Sequence, residues 1–164
     1  MKKNLRTLIA LTSAIIFAAC AGNQETEKNQ AVSTTETTAL QTIPFTPAKN
    51  YFVNNNVSTN GLCVVNSSND LSALLGMATV MGPNGKPTPF NPETQTLLAY
   101  ILPETDTATN IEPVRVEIVD SNTLQLCCRI TRGDSAMTYR LRPFSAVIIE
   151  KQKQQSVRFL QVEK

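Results

Sequence analysis

The sequence predicts an α+β domain in which an antiparallel sheet of about six or seven strands packs on one short helix. Composition points there first: the 164 residues include 20 Thr and 14 Asn, and Thr favours strands while Asn favours turns. Periodicity points there second, because a single stretch, near residues 67–78, carries apolar side chains at helical spacing. Third, the chain beyond residue 110 alternates apolar and polar positions between short turn signals, as antiparallel strands do.

Three parts precede or form that domain. Lys2, Lys3 and Arg6 lead into an uncharged run, Leu8 to Ala19, followed by Cys20. Twelve helical residues rise only about 18 Å against a hydrocarbon core of about 30 Å, so residues 1–19 form a removable export signal, too short to span a bilayer. The local sequence Phe17-Ala18-Ala19-Cys20 resembles the lipobox of bacterial lipoproteins. That resemblance implies lipidation of Cys20 and attachment to the membrane through its acyl groups, in the envelope of a Gram-negative bacterium and at its outer membrane. Two or three acyl chains, at about 0.8 kcal/mol per buried methylene, make a stable anchor. Residues 20–46 then read as a disordered tether, polar and unable to bury enough surface to offset its ordering entropy. Glu25 and Glu27 resemble lipoprotein surface-export signals. Cleavage before Cys20 removes three positive charges, leaving 12 basic against 13 acidic side chains, a net of −1 in place of +2. Overall basicity therefore argues for no nucleic-acid partner.

The single domain spans residues 47–164. Tyr51-Phe52-Val53 and Leu62-Cys63-Val64-Val65 are short strands set apart by Asn-rich turns. Ser67 or Ser68 is the N-cap of the helix, Asp70 favours its positive end, and Leu71, Leu74, Leu75 and Ala78 recur at i, i+3, i+4 and i+7, with an end near Gly82-Pro83. Residues 82–92, GPNGKPTPFNP, form a loop, and Leu97 to Leu102 is a strand buried on both faces. With Gly133-Asp134 as a type II′ turn, a hairpin pairs Ile130 with Met137, Cys128 with Tyr139 and Leu126 with Leu141 on its apolar face, and Arg129 with Thr138 and Cys127 with Arg140 on the other. An odd-length turn near Ser121 to Thr123 sets Glu117 beside Cys127. Ser145 to Ile149 and Val157 to Val162 make a last strand pair.

The stretches VVNSSNDLSALLG, TPFNPETQTLLAYIL, PVRVEIVDSNTLQLCCRI and RPFSAVIIEK, in that order, resemble the C-terminal domain family of the protease complex subunit PrcB. Leu75-Gly76, Pro89-Phe90-Asn91 and Pro143-Phe144 stand where that family shows a helix end, the approach to a buried strand and a late strand entry. Thr109-Asn110-Ile111-Glu112 departs from the Gly-Gly-Tyr segment the family carries before its hairpin. The resemblance implies an exported accessory domain that binds a protein partner, a protease being the candidate, with no chemistry of its own.

The residue inventory agrees with a binding role. The chain has no His, which excludes Ser-His-Asp and Cys-His catalysis and His-ligated zinc or haem. The carboxylates are scattered, no phosphate loop or nucleophile elbow occurs, and the reading is of a non-enzyme without cofactor or metal. Cys63, Cys127 and Cys128 remain after lipidation; adjacent Cys127 and Cys128 point to opposite faces of a strand, and Cys63 is able to pair with either. Cys127, if exposed beside Arg140, is a candidate reactive thiol, with Glu117 offsetting the arginine. Arg129, Arg140 and Arg142 on the hairpin, with Lys86 and Phe90 in the loop, are the candidate partner-binding residues. The alternative to a protein-binding module is an envelope sensor or ligand-binding lipoprotein.

Overall fold

A computed structural model describes residues 40–163; the export signal, Cys20 and the tether up to residue 39 lie outside the described residues. Among the described residues strands dominate and helix is confined to one short segment, consistent with an α+β chain rich in antiparallel pairs, but the strands number ten and divide into two four-stranded sheets and a two-stranded ribbon. The first sheet has the order β1 (Gln41–Ile43), β7 (Thr105–Ile118), β8 (Thr123–Leu141), β10 (Ser156–Gln161). The second has the order β2 (Thr46–Pro47), β9 (Phe144–Glu150), β6 (Gln95–Ile101), β4 (Gly61–Val65). The ribbon pairs β3 (Tyr51–Val53) with β5 (Leu75–Met77).

The alternation of side chains explains the layering. Along β6 and β9, Leu98, Val147 and Ile149 face the first sheet, where they pack with Ile43, Ile111, Val116, Leu124, Leu126 and Cys128. The intervening residues Leu97, Ala99, Ala146 and Ile148 face the other way, onto Tyr51, Leu75 and the half-buried Leu71, Leu74 and Phe90. The central strand β6 is therefore buried on both faces, as its unbroken apolar run predicts. Tyr100 of β6 stacks on Phe159 of β10 with ring centroids 3.5 Å apart, which ties the two sheets together.

Four expectations need correction. The fold begins before residue 47, since Gln41–Ile43 pairs with β7 and Ile43 is buried among apolar side chains, the contact that gives this end of the tether a reason to order. The helix α1 is only Ser68–Leu74. Its start is as expected, with Ser67 accepting a hydrogen bond from the Asp70 amide at 3.0 Å. Its end is two turns earlier than the spacing predicts, because Leu75 turns extended and buries itself in β5. Gly76 lies directly across from Phe52, whose ring covers it so closely that an added Cβ would sit 2.2 Å from the ring.

The hairpin at Gly133-Asp134 does not form. The chain runs straight through as β8, and its partner along the whole length is β7, with Ile130 opposite Ile111 and Leu126 opposite Val116. Leu124, Leu126 and Cys128 have β7 on one side and β10 on the other, so no free edge remains for residues 137–142 to pair there. The real turn is 119–122, where the Asp120 carboxylate accepts from the Asn122 amide at 2.8 Å and Val119 and Thr123 close the loop at 2.9 Å. It sets Glu117 opposite Gln125, two residues off the expected register but on the same face, so the Cys127 thiol still meets Glu117. Finally, β9 and β10 do not pair. They belong to different sheets, and β10 runs parallel to β8. The Gln155 and Ser156 amides donate to the Asn122 carbonyl at 3.1 and 3.0 Å, which starts β10 at the same end of the sheet as β8 and so dictates the parallel direction.

Candidate functional site

The loop between β5 and β6 is an open surface that local hydrogen bonds hold in shape. Pro83, Pro87, Pro89 and Pro92 limit its backbone freedom. Asn50, itself in the left-handed region at φ 60°, donates from its side-chain amide to the carbonyls of Asn84 at 2.8 Å and Lys86 at 2.9 Å. Thr88 bonds Lys49 in both directions, its hydroxyl accepting from the Lys49 amide at 2.9 Å and its own amide donating to the Lys49 carbonyl at 3.1 Å. The Tyr51 hydroxyl donates to the Thr88 carbonyl at 2.7 Å. These bonds staple the loop to residues 49–51, and between the two segments lies a groove of about 560 Å³ lined by Lys49, Asn84, Lys86, Pro87 and Pro89.

The groove is cationic and its approach is apolar. Among the described residues neither Lys49 nor Lys86 takes part in an ion pair. Met77, Val80 and Met81 are large apolar side chains left exposed on the same connection, Met81 completely so. Lys86 is exposed and lines this groove. Phe90 instead packs into the second core layer against the sheet, where its role is structural.

The three arginines do not share one face. With β8 continuous, Arg129 and Arg140 lie far apart along one strand. Arg129 pairs with Glu112 at 2.7 Å. Arg140 is exposed on the outer half of β8, where no strand among the described residues covers its far edge. Arg142 is committed to the fold: its guanidinium donates to the Val57 carbonyl, to the Thr59 carbonyl at 2.7 Å and to the Asn60 side chain at 3.0 Å, clamping the loop before β4.

The three thiols lie free in three different layers. Cys63 faces the second core layer, Cys128 the first, and Cys127 the outer side of the first sheet. No pairing of Cys63 with either neighbour forms. Cys127 is fully buried and lacks the exposure that a reactive thiol beside Arg140 requires. Its neighbours are Glu117, at 3.5 Å, and Gln125. Burial pushes the Cys127 thiol up, and pushes Cys128 up to about 12. Around Cys127 the Gln125 side-chain amide donates to Glu117 at 2.7 Å, Arg115 pairs with Glu117 at 2.8 Å, and Arg158 donates to the Gln125 side-chain oxygen Oε1. Burial would raise the Glu117 carboxyl, but the bonds from Arg115, Cys127 and Gln125 with the Arg115 charge bring it below its ordinary value.

Sequence reasoning missed Lys49, Asn50 and the exposed Met77, Val80 and Met81. The helical period through Ala78 hid the last three, since it placed Met77 inside a helix. Asn50 had one available signal, a residue type that tolerates the left-handed region before a strand. Among the described residues no group of three or more His, Cys, Asp or Glu is placed to hold a metal ion, and no helix is long and apolar enough to cross a membrane. The chain matches no family model, no curated protein and no solved structure.

Proposed function

We propose that this chain is a lipid-anchored envelope protein whose domain binds a protein partner through the rim of the β5–β6 loop, without catalysis of its own. The observation that carries this reading is the combination at that rim: exposed Met77, Val80 and Met81 beside a groove holding two cations without ion-pair partners, Lys49 and Lys86. Exposed apolar side chains of this size favour burial against a partner, and the lysines favour a partner with an acidic patch. The anchor rests on the export signal and on Cys20, which together point to the outer membrane of a Gram-negative envelope. The resemblance to the PrcB C-terminal domain family makes an envelope protease the first partner to test.

A ligand-binding role has one observation in its favour. A cleft of about 340 Å³ between β4 and β10 is lined by Asn66, Thr96, Gln152, Gln154 and Gln155 over an apolar floor, and the Gln154 side-chain oxygen is buried there without a hydrogen-bond partner.

Affinity capture from the protein's own envelope decides between the two, with the mature wild type and the variant M81D/K86E run in parallel. A stoichiometric protein retained by the wild type and lost by the variant is the expected outcome. Equal retention by both would reject the loop as the contact surface, and no retained protein would reject the partner-binding reading. Mass spectrometry of the mature N-terminus checks the anchor, with acylated Cys20 as the expected species.

A further inference from the structure

The outer half of β8 carries a second surface that the partner-binding loop does not explain. Among the described residues no strand pairs with the far edge of β8 beyond residue 128, and residues 131–136 are exposed without interruption. Within this stretch the ladder with β7 is broken: Thr109 is opposite Arg132 and Thr107 is opposite Ala136, so Gly133, Asp134 and Ser135 face the single residue Ala108. A bulge of this size pushes the longer strand outward. Arg132 is the last paired residue before the bulge and Asp134 lies within it, opposite charges on either side of a glycine.

Among the described residues the ion pairs are Arg115 with Glu117 and Arg129 with Glu112, and none involves Arg132 or Asp134. Neither side chain appears in a hydrogen bond that shapes the ribbon, in contrast to Arg142, which is spent on the fold. Gly133 packs against Ala108, where an added Cβ would come 3.4 Å from the Ala108 methyl. The small residue therefore keeps the bulge close to its neighbour strand, while the flanking charges stay exposed, Arg132 beside a shallow pocket that Glu104, Thr105 and Thr109 also line.

We propose that Arg132-Gly133-Asp134 is a ligand for a divalent-cation-dependent adhesion receptor of the Arg-Gly-Asp-reading class. Such a receptor takes the two charges separately. A bound Mg²⁺ or Mn²⁺ with an open coordination position accepts the Asp134 carboxylate, because hard cations take oxygen ligands and keep exchangeable positions. A carboxylate pocket accepts the Arg132 guanidinium in the two-pronged geometry that arginine offers and lysine does not. The exposed bulge meets both requirements, since neither group has to be freed from an existing ion pair before it binds. This surface is separate in sequence from Lys49, Lys86 and Met81, so its test stands apart from that of the loop.

The test immobilises the mature protein and measures binding of a purified integrin headpiece that reads Arg-Gly-Asp, in Mg²⁺ and in Mn²⁺. Saturable binding is expected, abolished by a chelator, competed by a soluble Gly-Arg-Gly-Asp-Ser peptide, and unchanged in M81D/K86E. D134E preserves the charge and moves the carboxylate by one methylene, and R132K preserves the charge and removes the fork; each is expected to weaken binding at least tenfold while circular dichroism and melting temperature stay at the wild-type values. Absence of binding in both cations overturns the proposal. So does binding that survives the chelator, or that D134E leaves at wild-type strength.

Discussion

Glu117 is a charged side chain on the outer face of a sheet, yet it is only 4 % exposed. Its burial is tolerated because Arg115 and Gln125 occupy both of its oxygens, at 2.8 and 2.7 Å. The folded carboxyl lies below its ordinary value of 4.5, so the native state holds fewer protons than the unfolded chain as the pH drops. Stability from this group is present above about pH 4.5 and is lost as the pH falls through the folded value. Glu117→Gln is expected to cost about 2 kcal/mol at pH 7, the range of a hydrogen bond to a charged group. Its stability relative to the wild type is expected to recover below pH 4.5. Urea denaturation across pH 3 to 7 checks this, and a constant gap between the two proteins would contradict it. The adjacency of Glu117 to Cys127 was legible from strand alternation alone. The burial of Cys127 was not, since it depends on which side chains of β10 and β7 lie over that face.

At the scale of elements, short-range signals were read correctly where they were chemical and misread where they were only periodic. The N-cap at Ser67 and the Pro-rich loop follow from hydrogen-bonding capacity and backbone restriction, and both are as expected. Leu75 fits a helical spacing and a strand equally well, and the choice is made by a distant partner: Tyr51–Val53 is available to pair with Leu75–Met77. The same holds for β8, whose two halves match each other in hydrophobic pattern but are claimed by β7 and β10. The cross-strand pair Phe52 and Gly76 offers a test of the ribbon. Gly76→Ala is expected to destabilise by about 1 to 2 kcal/mol, because the ring must move away. In a Phe52→Ala background the same change is expected to cost less than about 0.5 kcal/mol, a coupling that a double-mutant cycle by thermal or chemical denaturation measures. Additive effects would show that the ring does not cover Gly76 in solution.

For the whole domain, the decisive information lay in which strands share a sheet, and that is a property of the chain's two ends as much as of its middle. Ile43 and Phe45 precede the boundary that composition suggests, yet Ile43 is part of the first core layer and Phe45 packs against it. A chain starting at residue 47 is therefore expected to be at least about 2 kcal/mol less stable than one starting at residue 40, from the loss of buried apolar volume. Equal denaturation midpoints would place β1 outside the cooperative unit. The candidate site was legible only in part: Lys86 was visible from its loop, whereas Lys49 joins it through the hydrogen bonds of Asn50 and Thr88, contacts that span 34 to 39 residues and leave no local trace.

The first sheet is bounded by β1 on one side and by β10 on the other, the first and last strands of the domain. A polypeptide that emerges N-terminus first cannot complete that sheet until its final residues are free. β1 waits for β7, more than sixty residues later, and β10 adds beside β8 only at the end. The topology thus delays the closing of the first core layer until the last strand of the domain has been made, so the order of synthesis and the order of folding are opposed at this sheet.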